Sequence, residues 1–211
     1  MSNKGETTIQ TKLRGHFLTF HTTWGLFSPK EIDEGTRLLI EEIKVEPKMN
    51  ILDLGCGYGP IGIALAKSLT ETSPENKSEN LGEIHMIDKD FMAIEYANCN
   101  IEENLPASQQ KNCQAYLSNG FSHVPEGKLA SFDIIVSNIP AKVGKELLQI
   151  IMADAYRYLK PGGRFYVVTI AGLREFIKRN FKETFGNYKK LNQSKGYAVA
   201  MTEKPSSKNP E

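Results

Sequence analysis

The sequence predicts an α/β fold, a mostly parallel β-sheet covered by helices on both faces. From about Lys48 onward, short apolar runs alternate with amphipathic stretches. The first of those runs passes directly into a glycine-rich turn that opens a helix. A chain of 211 residues also has room for one well-buried core.

The elements follow in order. His16–Phe27 reads as a short hairpin, and Glu31–Ile43 as a helix with Leu38, Leu39 and Ile43 on one side. Together they form a hairpin–helix extension ahead of the sheet. Strands are expected at Asn50–Leu54, Glu83–Asp88, Cys113–Leu117, Phe132–Ser137 and Arg164–Thr169, with helices at Pro60–Leu69, Phe91–Glu103 and Lys145–Leu159. Pro161-Gly162-Gly163 is expected to stop the third of these helices before the fifth strand. A further helix, Leu173–Phe185, ends at Gly186. Tyr188–Ser194 and Gly196–Thr202 flank Lys195-Gly196 and read as a closing antiparallel pair, which brings the sheet to seven strands. The polar segment Thr70–Asn80, with Pro74, is expected as a surface loop. One domain is expected over 16–203, between a flexible N-terminus (1–15) and a flexible tail (204–211).

Lys and Arg total 26 against 25 Asp and Glu, a formal net charge of +1. That balance excludes a chain built to bind polyanions over its whole surface and leaves room for local basic patches. No apolar run approaches the roughly 20 residues that span a bilayer. Met1–Gln10 lacks the apolar core of a signal peptide. Cys56, Cys99 and Cys113 have no metal-like spacing, so no metal site is expected. Their odd, scattered placement fits reduced thiols in a cytoplasm.

The strongest local signal is Asn50-Ile51-Leu52-Asp53-Leu54-Gly55-Cys56-Gly57-Tyr58-Gly59-Pro60-Ile61-Gly62. Glycines let a backbone turn tightly and let a ligand approach it, and Pro60 suits a first helical turn. Gly57-x-Gly59-x-x-Gly62 matches the dinucleotide fingerprint literally, a weak signal alone. Asp53 argues against a pyrophosphate, and so against a nicotinamide-dependent oxidoreductase as the distant alternative, because a carboxylate there repels phosphate and suits a ligand that carries an ammonium group. S-adenosylmethionine carries an ammonium, a sulfonium and a carboxylate, and the helix N-terminus favours the carboxylate. Asp88 ends the next strand, where a carboxylate can accept from both ribose hydroxyls. The competing readings are a structural turn for the glycines and a helix cap near Phe91 for Asp88.

These residues resemble the class I S-adenosylmethionine-dependent methyltransferases, on a Rossmann-like sheet. The branch they resemble is the small-domain one that includes ribosomal RNA guanine-N2 methyltransferases. The likeness rests on Gly25-Leu26-Phe27-Ser28, Ile32-Asp33-Glu34-Gly35-Thr36, the Asp53–Gly59 loop and Ser137-Asn138-Ile139-Pro140, and covers roughly 16–203. It implies that Asp53, Gly55, Gly57 and Gly59 hold the methionine part of the cofactor, with Cys56 also in the cofactor-binding set. It places Asp88 at the ribose and Asn119 with Gly120 near the adenine, and includes Lys89 among the cofactor-binding residues. Asn119 stands where the family usually has an acid. Phe27 and Asp33 would lie over the cofactor's open side, with a core position as the alternative for Phe27.

The family motif after the fourth strand is Asn or Asp, Pro, Pro and a bulky residue; here it is Asn138-Ile139-Pro140-Ala141. An exocyclic amine is a poor nucleophile because its lone pair is delocalised. The Asn138 side-chain oxygen and the Ile139 carbonyl can each accept one of its N–H groups, and Pro140 keeps Ile139 extended. Asn138 therefore belongs to both the catalytic and the cofactor-facing set. Ile139 in place of the first proline predicts a freer loop. Ala141 removes a stacking partner worth about 1–3 kcal/mol per base. The alternative is that Asn138 only caps a helix starting near Lys142.

Lys142, Lys145, Arg174, Lys178, Arg179, Lys182, Lys189, Lys190 and Lys195 form a candidate basic patch for ribosomal RNA, or else a solvated charged face. N-methylation of ribosomal RNA guanine is the first expectation. A small-molecule or protein-amide substrate is the second, and a non-catalytic cofactor-binding module the third. The sequence leaves the oligomeric state open.

Overall fold

The computed structural model describes residues 5–71 and 82–206. A seven-stranded sheet runs in the order β5-β4-β3-β6-β7-β9-β8. Its strands are β3 (Ile51–Leu54), β4 (Ile84–Asp88), β5 (Cys113–Leu117), β6 (Phe132–Asn138), β7 (Leu159–Ile170), β8 (Lys189–Gln193) and β9 (Tyr197–Glu203). The first five are parallel, while β9 runs antiparallel to both β7 and β8. From β3 the chain moves outward through β4 to β5, then returns to β6 on the other side. The order thus reverses between β3 and β6, and in open parallel sheets ligands bind at the carboxyl ends of such a switch point.

Alternation of side chains across the strands sorts the core into two layers. Ile51, Ile134, Val136, Tyr166 and Val168 pack with α1 (Glu34–Glu42), α2 (Pro60–Glu71) and α3 (Phe91–Asn104). Leu52, Leu54, Ile135, Phe165 and Val167 pack with α5 (Lys145–Tyr158) and α6 (Arg174–Phe185) on the other face. A one-turn helix, α4 (Ala107–Gln110), joins α3 to β5. Gly186 ends α6 in the left-handed conformation with φ 78°, as its position predicted.

Two expectations are corrected here. Pro161-Gly162-Gly163 does not separate helix from strand, because α5 already ends at Tyr158 and the tripeptide lies inside β7. The β6–β7 register jumps from Phe132↔Leu159 to Ile134↔Arg164, so the residues between leave the ladder and the proline's missing N–H removes no strand bond. Gly162 N and Gly163 O bond instead to Lys204, at 2.8 Å each. Lys204, the start of the expected tail, is therefore fixed, while 207–211 lie outside the described residues. The expected loop at Thr70–Asn80 begins inside α2, and 72–81 lie outside the described residues.

The second correction concerns the N-terminus. Residues expected to be flexible form β1 (Glu6–Leu13), which pairs antiparallel with β2 (His16–Thr23) through an Arg14-Gly15 turn with positive φ at both residues. The hairpin therefore starts ten residues earlier than its predicted start. Arg14 fixes its tip by donating to Ile40 O (2.6 Å) and Ile43 O (2.7 Å), carbonyls at the end of α1 that the helix leaves unpaired. Along the free edge of β2, Asn100 and Asn104 of α3 act as strand-like partners. His21 N donates to Asn100 Oδ1 (2.7 Å) and Asn100 Nδ2 donates back to His21 O (2.9 Å); Asn104 pairs likewise with Thr19 (2.9 and 2.8 Å). Four-residue spacing puts both asparagines on one helix face, where they close an otherwise open sheet edge.

Candidate active site

The glycine turn sits at the carboxyl end of β3. Gly55, Gly57 and Gly59 all have positive φ (73°, 56° and 92°), which β-carbon-bearing residues rarely adopt. At Gly55 and Gly57 an added Cβ would meet nothing within 4 Å, so the turn leaves open space above it. Gly62 serves a different purpose: a Cβ there would lie 2.5 Å from Met86 Cγ and Sδ. The third glycine of the literal dinucleotide match thus lets α2 approach β4. Cys56 is buried, and both Gly55 N and Cys56 N donate to Ile87 O (2.8 and 3.0 Å). Its backbone shapes the turn, while burial and the Asp53 and Asp88 charges hold its thiol protonated.

Asp53 lies beneath the turn with no exposed surface. Its Oδ2 accepts from Gly62 N (2.9 Å), so the α2 N-terminus is partly satisfied from within. Its Oδ1 is buried without a hydrogen-bond partner. Burial pushes the carboxyl up to about 7; the Gly62 N–H opposes that shift and the Asp88 charge adds to it. Asp88 Oδ2 accepts from Gly57 N (3.0 Å), and its Oδ1 from Asp90 N (3.0 Å). The cap of α3 is Asp90, which accepts from Met92 N (2.9 Å), so Asp88 is not that cap. Two bonds leave an ionised carboxylate further lone pairs for a ligand.

Asn138 ends β6 and has the side-chain parity of Ile134 and Val136, so it faces α1. Its Nδ2 donates to Thr36 Oγ1 at 2.9 Å and lies 3.3 Å from each oxygen of Asp33. Asp33 is in turn the N-cap of α1, accepting from Thr36 N (3.1 Å). The helix after Asn138 starts at Lys145 with Gly144 as its cap, so Asn138 has no capping role. Ile139 departs from expectation. Its side chain is buried and its N–H donates to Val168 O (2.9 Å), so this position is anchored and not free. Pro140 and Ala141 are exposed.

The remaining expected residues surround this centre. Phe27 is 64% exposed, which excludes a core position. Tyr58 OH donates to Ser28 O (3.2 Å), tying the Phe27-Ser28 segment to the glycine turn. Lys89 is exposed beside Asp88, and Asn119 is exposed on the loop after β5. Ser118 N joins that loop to Asp88 O (2.8 Å), and Gly120 takes a positive φ of 59°. On α6, Arg174 and Lys178 pair with Glu175 and Arg179 pairs with Glu183, which dilutes the expected basic patch. Thr36 and Tyr58 stand inside the motif blocks without a role read from them, and Asn100, outside those blocks, supports Tyr58 from α3. Asn100 is fully buried and also donates to Tyr58 O (2.9 Å). Among the described residues no group of His, Cys, Asp and Glu could hold a metal, and no helix is long and apolar enough to cross a membrane.

The family model for the methyltransferase small domain matches residues 17–201. The chain belongs to the methyltransferase small domain family. The uncharacterized protein YbxB of Bacillus subtilis (strain 168) is 34% identical over 197 residues, 92% of this chain and 89% of that one. A ribosomal RNA small subunit methyltransferase C from Haemophilus influenzae (strain 86-028NP) is 33% identical over 86% of this chain and 50% of its own length. Among solved structures, the T. thermophilus 16S rRNA N2 G1207 methyltransferase, in complex with AdoMet and guanosine, superposes with a TM-score of 0.78 at 26% identity. That match covers 95% of this chain and 51% of that one. The chain therefore spans about half the length of the ribosomal RNA methyltransferases it matches. The small-domain fold, Rossmann-like with a seven-stranded mostly parallel sheet, is the one observed.

Proposed function

We propose that this protein is an S-adenosylmethionine-dependent methyltransferase that N-methylates the exocyclic amine of guanine in ribosomal RNA. The observation that carries the reading is the Asn138 carboxamide. Its nitrogen is held by Thr36 and Asp33, which leaves its oxygen to accept from a substrate amine at the switch point of the sheet. Family membership and the likeness to the guanosine-bound T. thermophilus enzyme support the same reading.

The residues fit the cofactor. The glycine turn leaves open space that side chains at 55 and 57 would fill, and the unpartnered Asp53 Oδ1 would favour a nearby ammonium group. Gly55 and Gly57 would face the methionine part. Asp88 would take the ribose hydroxyls, with Lys89 beside it. Asn119 and Gly120 would lie toward the adenine, and Phe27 would cover the open side. When bound, the cofactor supplies an electrophilic methyl group on a sulfonium.

Asn138 Oδ1 accepts one N–H of the amine and the Ile139 carbonyl accepts the other, which aims the nitrogen lone pair. The Ile139 N–H bond to Val168 fixes the backbone that presents this carbonyl. Rate then comes from orientation and preorganised dipoles, and the proton that the methylated nitrogen sheds passes to water, so no strong base is needed. Lys142 and Lys145, exposed beyond the motif, would meet RNA phosphates, and the cytoplasm is where such a substrate is found.

The test is transfer of labelled methyl from S-adenosylmethionine to ribosomal RNA, followed by digestion to nucleosides. N2-methylguanosine formed by wild type and absent with Asn138→Ala supports the proposal. Transfer only to small amines or protein amides would replace the substrate, and no transfer to any acceptor would overturn the reading.

A further inference from the structure

A carboxamide is nearly symmetric in shape but not in chemistry: one end only accepts hydrogen bonds and the other only donates. Asn138 serves amine chemistry in one of its two flips only. With oxygen outward it accepts from an N–H nucleophile; with nitrogen outward it would present a donor to the amine's own donors.

The surroundings discriminate between the two. The Asp33 carboxylate lies 3.3 Å from Asn138 Nδ2 through both oxygens and, when ionised, can only accept. The flipped amide would set its oxygen against that carboxylate. The Thr36 hydroxyl, 2.9 Å from the same nitrogen, can accept or donate, so Asp33 sets the flip and Thr36 anchors the end it selects. Thr36 is buried, and its backbone N–H holds Asp33 Oδ1 at 3.1 Å, so the first turn of α1 fixes both partners together. Asp33, expected over the cofactor's open side, also bonds to α1 and to Asn138.

We infer that Asp33 and Thr36 are positioning residues that lock the Asn138 amide with its nitrogen toward α1 and its oxygen toward the substrate. They thereby restrict the enzyme to nucleophiles that offer N–H donors. The consequence for turnover rests on the amine reading of the site; the orientation itself does not.

Two measurements on the full chain separate these parts. Thr36→Val removes the hydroxyl and keeps the shape, and Thr36→Ser restores the hydroxyl. Asp33→Asn keeps a good N-cap but offers either end of an amide to Asn138. With ribosomal RNA as acceptor, Thr36→Val and Asp33→Asn should each lower kcat roughly tenfold or more, as loss of an orienting partner typically does. The KM for S-adenosylmethionine should stay unchanged in Thr36→Val, and Thr36→Ser should recover most of the rate. Independently of activity, the Asn138 side-chain NH2 signals in a ¹⁵N-correlated spectrum, assigned by their loss in Asn138→Ala, should exchange slowly with solvent. They should shift and exchange faster in Thr36→Val, and return to the wild-type pattern in Thr36→Ser. Unchanged Asn138 signals in Thr36→Val would overturn the inference. So would wild-type kcat in both Thr36→Val and Asp33→Asn. A wild type that methylates no amine overturns the proposed function, while the NH2 signals still decide the orientation.

Discussion

The backbone N–H of Ile139 donates to the carbonyl oxygen of Val168 at 2.9 Å, joining the residue after Asn138 to the neighbouring strand β7. A proline, the usual family residue here, would lack that N–H. Ile139 thus replaces the stiffness of a ring with a cross-strand bond and a buried side chain.

Ile139→Pro is accordingly destabilising, even though it restores the family motif. It leaves Val168 O without this donor and removes buried apolar volume, together about 2–4 kcal/mol. Urea denaturation should show a lower midpoint at an unchanged slope.

The glycines separate by function. Gly62→Ala puts a Cβ 2.5 Å from Met86, and overpacking of this kind costs about 1–3 kcal/mol. Gly57→Ala meets open space but must hold φ near 56°, at about 1–2 kcal/mol. Calorimetry should show Gly57→Ala losing affinity for S-adenosylhomocysteine well beyond its loss of stability. Folded Gly62→Ala should retain most of the affinity.

Asp53 predicts a pH dependence. Its folded pKa of about 7 stands above the ordinary 3.8, so over that interval the folded state binds more protons than the unfolded state. Stability from this group is complete below the lower value and declines as pH rises to about 7, by up to about 4 kcal/mol. Thermal melts of Asp53→Asn should lack that decline. A ligand ammonium favours the ionised carboxylate, so wild-type affinity for S-adenosylhomocysteine should rise as pH climbs through 7.

Asn100 holds His21 N, His21 O and Tyr58 O from a fully buried position. Asn100→Ala strips three partners at once and should cost about 3 kcal/mol or more. It should also loosen the hairpin from α3, which hydrogen exchange at His21 would reveal as faster opening.

Much of the sheet was legible because its signals are local. Cys113–Leu117 matches the predicted strand, and the other sheet elements shift mainly at their ends. The fourth strand, for example, runs one residue further, to Asn138. The hairpin was mistimed because Glu6–Leu13 is polar and half exposed, and its pairing is fixed from afar by Arg14 and the α3 asparagines. Pro161-Gly162-Gly163 was misplaced because proline and glycine mark a break in regular backbone without saying whether a helix end or a strand bulge causes it. In the site, the glycine turn and Asn138 were visible as motif residues. Thr36 was visible only as the end of the Ile32–Thr36 block and its role was not, because its contact to Asn138 spans 102 positions and depends on how α1 lies against β6.

Titration calorimetry with S-adenosylmethionine, S-adenosylhomocysteine and NAD, on wild type and Asp88→Ala, tests the central claim most directly. The account predicts that both adenosyl ligands bind wild type, that Asp88→Ala weakens them, and that NAD does not bind. Binding of NAD alone, or of none of the three, would contradict it.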